Sequence, residues 1–131
     1  MRLNPIIIAI ALFVVPAVLT PGLIGPASAH EPRKGPNGGD LVDAGTYHIE
    51  VVGRGTTLDV LVSDATDKPL PVTGFKALAI MVIDGKTYCI ALVPTTDGAK
   101  LTGTAPAPIA VAKGAVQLTA PDGKTATGRI N

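Results

Sequence analysis

The sequence of 131 residues has one cysteine, no tryptophan, two tyrosines and two phenylalanines. The lone thiol, Cys89, excludes an intramolecular disulfide, so an apolar core must hold the fold together. Its neighbours Tyr88, Ile90, Ala91 and Leu92 are apolar, and the expectation is a buried, inert thiol rather than an intermolecular disulfide or a soft metal ligand. So few rings leave no platform on which bases or sugars could stack. Charge of one sign is also lacking: 11 lysines and arginines stand against 10 aspartates and glutamates. With no basic patch and no run of like charge, nucleic acid and anionic membranes find no support as partners. Catalytic signatures are missing as well. There is no Gly-x-Ser-x-Gly elbow and no Cys/His pair close in sequence, so no enzyme is expected. Helical periodicity is absent after Ala29, and so are internal repeats.

What is present begins with an export signal. Arg2 precedes an apolar run from Ile6 to Leu19, then come Pro21-Gly22 and the small-x-small site Ala27-Ser28-Ala29, the layout of a secretory signal peptide. Pro16 interrupts the apolar run, whereas a spanning helix wants roughly 20 consecutive apolar residues. The absence of a cysteine near the cleavage site argues against a lipoprotein. Cleavage after Ala29 leaves residues 30–131, one small domain that buries roughly 60–70% of its unfolded-chain surface. Loss of Arg2 makes its net charge about zero, and the mean hydropathy of +0.41 for the whole chain overstates how apolar the remainder is.

The exported part punctuates itself with turns. Asp84-Gly85, Asp97-Gly98 and Asp122-Gly123 each separate β-prone runs, as hairpin turns requiring positive φ do, and Gly53-Arg54-Gly55 is read the same way. The runs are 47–52, 56–63, 77–83, 86–93, 99–104, 115–120 and 125–130. Seven short strands with turns about every ten residues predict a small antiparallel, Ig-like β-sandwich. Leu58, Val60 and Val62 share one strand face, opposite Asp59 and Leu61. Runs 77–83 and 88–93 are apolar at nearly every position and are expected to form the core hairpin, covered on both sides. Pro69-Leu70-Pro71 belongs to an edge or crossover, because neither proline can donate to a ladder. Ala105-Pro106-Ala107-Pro108 reads as an extended connector toward 109–112.

The segment His30–Glu50 concentrates the rest. It holds both histidines, the dense turn signal Gly35-Pro36-Asn37-Gly38-Gly39, and several carboxylates. His48 and Glu50 alternate with Tyr47, Ile49 and Val51, so they share a face about 6–7 Å apart. If Ala44-Gly45 is the hairpin tip, Leu41 pairs with His48 and Gly39 with Glu50. Once cleavage makes His30 the first residue, its α-amine and ring nitrogen can chelate one metal ion, and His48 would supply a third nitrogen, a set that suits Cu(II). Imidazole and carboxylate alone also accept Zn(II). A chain reversal at residues 35–39 would return His30 toward His48. The expected ligands are His30 and His48, with Glu50 or Asp40 as secondary oxygen donors. Without metal, the histidines would be solvated strand residues and the glycine cluster only a turn.

The pattern His-x5-Pro-Asn-Gly-Gly, followed by Ala-Gly-x-Tyr-His-Ile-Glu-Val-Val, resembles the opening of small exported β-domains of Gram-negative bacteria. It is also similar to the His/Gly-Gly segment near the start of periplasmic adaptor subunits of heavy-metal efflux pumps. Residues 64–76 and 114–123 also fit the small exported domains. The resemblance implies a periplasmic location and metal handling, with His30, His48 and Glu50 at the matching positions. The chain lacks the adaptors' helical hairpin, barrel and lipoyl-like domain, so it is not itself an adaptor. With periplasmic copper carriers the likeness is one of fold only.

Three parts are therefore expected: a signal peptide at 1–29, a glycine- and proline-rich arm at 30–40, and a β-sandwich at 41–131. The expected function is a periplasmic module that binds copper or zinc for sequestration or delivery, linked to heavy-metal efflux, with an envelope protein as possible partner. The competing expectation is a metal-free interaction module of the cell envelope.

Overall fold

The computed structural model describes residues 33–109 and 113–131. His30, the expected signal peptide and its cleavage site lie outside them. Among the described residues there are nine strands and no helix: β1 (Arg33–Lys34), β2 (Asp40–Ala44), β3 (Tyr47–Arg54), β4 (Thr57–Ser63), β5 (Lys76–Ile83), β6 (Lys86–Pro94), β7 (Leu101–Thr104), β8 (Gly114–Thr119) and β9 (Thr125–Ile130). All pairings are antiparallel, in the order β1-β2-β3-β4-β7-β6-β5-β8-β9. The seven expected strands are all there. Two more extend the sheet: β1, from the segment 30–40 read as an arm, and β2, which begins at its end. Strands β5, β6 and β7 follow one another, and β8 returns by a long connection to lie beside β5, a Greek-key arrangement shared with sandwich folds.

Turn chemistry accounts for most of the connections. Asp84 and Gly85 have φ of +51° and +75°, and Ile83 pairs with Lys86 across them, which is a two-residue I′ hairpin. Two expectations shift by a residue or two. The β2–β3 tip is Gly45-Thr46, because Ala44 pairs with Tyr47 and Gly45 takes the positive φ of +61°. Consequently Asp43, not Leu41, faces His48, and Leu41, not Gly39, faces Glu50. Likewise Gly53 and Arg54 remain in β3, and Gly55 at φ +56° begins the next turn. Pro69-Leu70-Pro71 lies in the crossover from β4 to β5, tied by the Leu70 N–H to Val62 O at 2.9 Å.

The sheet curls until its two halves face each other. Ile49, Val51, Leu58, Val60, Val62 and Leu101 point inward from one half, and Ala79, Met81, Ile90, Val116, Leu118 and Ile130 from the other. Alternation along each strand makes this possible, since period-two apolar residues fall on one face. Tyr47 and Phe75 meet edge to face at 5.5 Å and help close one end. At the seam between β2 and β9 the packing leaves no room for a side chain on Gly128. A Cβ on Gly128 would lie 2.8 Å from Ile49 Cδ1 and 2.9 Å from Val42 Cγ2.

One burial expectation fails. Strands β5 and β6 are covered on one side only: Ala77, Ala79, Met81 and Ile83 are buried, while Leu78, Ile80 and Val82 alternate with them and are 37–41% exposed. Cys89, directly across from Ile80, is exposed as well. A run apolar at every position fits a strand covered on both faces, but it fits equally a strand with one apolar face left open.

Candidate functional site

The outer face of the β2–β3–β4 half carries the polar residues singled out in the sequence. His48 and Glu50 do share this face, opposite the core residues Ile49 and Val51. Their surroundings differ completely.

Glu50 is buried, with 3% exposure. The segment Gly35–Gly39 folds over it as a tight reversal: Gly35 N–H donates to Gly39 O at 2.9 Å, Gly38 N–H donates to Gly35 O at 3.1 Å, and Gly38 sits at φ +80°. Proline at the first turn position and glycine at the left-handed one suit this geometry. Such a turn leaves N–H groups pointing inward, and Glu50 accepts them. Its Oε1 takes the Asn37 N–H at 2.7 Å and the Gly39 N–H at 3.0 Å, and its Oε2 takes the Asn37 side-chain amide at 2.8 Å. Charge-assisted bonds of this kind offset the cost of burying a carboxylate. Glycine is required at two positions here. A Cβ on Gly35 would stand 2.2 Å from Glu50 Cδ, and one on Gly39 would stand 2.4 Å from Val51 O.

His48 lies beside the next cross-strand pair, with its side chain 17% exposed. Its Nδ1 faces Asp67 Oδ1 at 2.5 Å, and its Nε2 lies 3.3 Å from Asp43 Oδ1. Asp43 is set there by the β2–β3 register. Asp67 is set by a compact loop in which Asp64 Oδ1 accepts from Thr66 N–H, Thr66 Oγ1 and Lys68 N–H at 2.6–3.0 Å. Those bonds, the Thr66 hydroxyl first, hold the Asp64 carboxyl below its ordinary value. Within this loop Asp67 takes φ +64°, a conformation aspartate tolerates better than most side chains.

The reversal at 35–39 turns the chain back along β2, with Arg33 paired to Leu41 and Lys34 to Asp40. Arg33 Nη2 reaches Asp43 Oδ1 at 3.0 Å, the same oxygen that faces His48. Asp40 is engaged by Lys34 Nζ at 2.7 Å. A small pocket opens between the reversal and β4, lined by Lys34, Asn37, Glu50, Leu61, Ser63 and Asp67 among others.

Of the four residues expected as ligands, the structure therefore brings Glu50 under the turn, Asp40 onto Lys34 and His48 between two aspartates. It does not place Glu50 or Asp40 on the imidazole, and His30 lies outside the described residues. Among the described residues no three His, Cys, Asp or Glu side chains group closely enough to hold a metal ion. The geometry agrees, because Asp43 and Asp67 approach opposite edges of the His48 ring. Sequence reasoning missed both aspartates. Asp43 was hidden by a one-residue error in the hairpin tip. Asp67 lies 19 residues away along the chain, with no local signal linking it to His48.

A second buried carboxylate sits further along this face. Asp59, 6% exposed, accepts from Lys100 Nζ at 2.8 Å and from Thr102 Oγ1 at 2.6 Å. Burial pushes its carboxyl up. The hydrogen bonds from Lys100 and Thr102 and the charges of Lys100 and Arg54 outweigh that, holding it below the ordinary carboxylate value. It ties β4 to the β6–β7 turn.

Comparison of the chain with protein-family models, with curated proteins and with solved structures finds no match.

Proposed function

We propose that this chain is an exported metal-handling module that takes up copper or zinc at the His48 end of the β2–β3 hairpin, for sequestration or delivery alongside heavy-metal efflux in the periplasm. The observation that carries the reading is the direction of the arm. Past the reversal, β1 runs antiparallel to β2, and Arg33 already touches the carboxylate that faces His48. His30 precedes Arg33 by three residues. An α-amine and imidazole from His30, joined by the His48 imidazole, give the three-nitrogen set suited to Cu(II), and Asp43 or Asp67 adds an oxygen. For Zn(II), imidazole and carboxylate suffice.

The donor set fits this role with one change of parts. Glu50 has its oxygens engaged by three N–H donors, so its contribution is to lock the arm in the reversed direction. The oxygen donor in place of Glu50 and Asp40 is the aspartate at the ring nitrogen that takes the metal, Asp43 at Nε2 or Asp67 at Nδ1. Loading must free a ring nitrogen of His48 from its aspartate and draw Arg33 off Asp43.

The test is zinc titration followed through the His48 ring resonances, in the chain beginning at His30 and in its His48→Gln variant. Saturable perturbation of the ring, with uptake lost in the variant, supports the reading. Uptake unchanged by His48→Gln removes His48 from the site and overturns it.

One observation favours a second reading, a metal-free interaction module: the open apolar face of β5 and β6.

A further inference from the structure

The outer face of β6-β5-β8-β9 takes no part in the site around His48 and Glu50. Leu78, Ile80 and Val82 of β5 line up on it with Cys89, Ala91 and Val93 of β6, and Val93 is 60% exposed. A single exposed apolar residue is ordinary, but a contiguous row marks an interaction surface. We infer that this face binds a second copy of the same chain, antiparallel, about a twofold axis that crosses the strands through Ile80 and Cys89.

Charge complementarity selects this occupant. Ile80 and Cys89 are register partners, so an axis through both sends each position of β5 to one equally far on the other side. Leu78 then meets Val82 of the second copy, and Lys76 meets Asp84. Both charged residues are exposed, and neither has an ion-pair partner among the described residues. An isologous contact requires such self-complementarity, and the apolar row supplies its centre. Shape agrees as well. An open groove lies at the Lys76 end, lined by Lys76, Leu78, Ala91, Val93 and Pro94 among others. The same operation brings the protruding Asp84-Gly85 hairpin tip of the second copy over that groove. Arg129, on the outermost strand, meets its own copy at the rim, where sheet twist spreads the two faces apart.

Area sets the strength. Eight residues of β5 at about 3.3 Å each, across four strands about 4.8 Å apart, give roughly 500 Å² per copy. The total of about 1,000 Å² only just reaches the size of specific interfaces, so the dimer is weak and reversible. No disulfide is implied. Facing sheets stand about 10 Å apart, beyond the roughly 6.8 Å Cα separation that a disulfide spans.

The test is sedimentation of the purified, reduced chain from about 10 µM to 1 mM, a range suited to an interface of this size. A monomer–dimer equilibrium is expected. Ile80→Lys, an exposed site where the new charge meets its own copy, should weaken association at least about tenfold. So should Lys76→Glu, which sets two carboxylates against each other, and adding Asp84→Asn to it should recover most of the loss. A short bis-maleimide should link Cys89 to Cys89 in the parent chain and not in Ile80→Lys. A chain monomeric at 1 mM overturns the proposal and leaves the face for a different protein. A dimer indifferent to Ile80→Lys, or a Lys76→Glu defect that Asp84→Asn does not relieve, overturns it too.

Discussion

Glu50 grips Asn37 at two points: one carboxylate oxygen takes the backbone N–H at 2.7 Å, and the other takes the side-chain amide at 2.8 Å. The contact joins the third strand to a turn 13 residues earlier and fixes the direction of β1. Glu50, expected as a ligand, has both oxygens engaged by N–H donors of the turn and anchors it. A Glu50→Ala variant should lose about 3 kcal/mol, because Asn37 and Gly39 are left with inward N–H groups and no acceptor. Glu50→Gln keeps part of the acceptor geometry and should lose about 1 kcal/mol. Denaturant unfolding reads the stability, and amide exchange at Asn37 and Gly39 should rise first. Unchanged exchange at those two amides in Glu50→Ala would show that the turn stands without the anchor.

The glycines of the turn should separate by mechanism. Gly35→Ala and Gly39→Ala drive a Cβ into Glu50 and into the Val51 carbonyl, an overpacking expected to lose about 2–3 kcal/mol. Gly38 has open space around it and only its φ of +80° to satisfy, so Gly38→Asn should lose under about 1 kcal/mol. Equal effects at all three positions in thermal unfolding would contradict this division.

Acid should find Asp59. Its folded carboxyl sits below the ordinary value, so the stability it contributes is present above the unfolded value of about 3.9 and is lost as pH falls through the lower folded one. Lys100→Met removes the cation from a nearly buried carboxylate and should lose about 2 kcal/mol at neutral pH. The same variant should move the midpoint of acid unfolding upward relative to the parent. A midpoint that stays put would separate Asp59 from the acid transition.

Much of this fold is legible in the sequence, and the parts that are not have physical causes. Asp84-Gly85 names its own hairpin because only a few residue types accept two positive φ angles in succession. Leu58, Val60 and Val62 name their face by alternation. The described part of strand β1 is Arg33 and Lys34, both exposed, laid beside β2 by a turn. No propensity could reveal it. The open side of β5 is illegible for another reason, since Leu78 and Ala79 look alike in sequence whether water or core lies beyond them. At the site, the alternation of His48 and Glu50 gave the shared face correctly. Which carboxylates meet the imidazole depended on a one-residue choice of turn and on a contact with Asp67, reached from another loop.

Cys89 tests that difference directly. The sequence reading makes it a buried thiol, whereas in the fold it lies open beside Ile80. A thiol reagent such as DTNB should modify one cysteine per chain under native conditions at low protein concentration, without denaturant. Reaction only after unfolding would contradict the one-sided cover of β6.

The most direct test of the account is calorimetric titration of Cu(II) into the chain beginning at His30, run beside the same chain with one extra residue ahead of His30. The extension destroys the amine–imidazole chelate and leaves His48, Asp43 and Asp67 untouched. The account predicts one-to-one copper binding that the extension weakens at least about tenfold, the loss of one strong ligand being worth 1.4 kcal/mol or more. No heat of binding in either chain would contradict it.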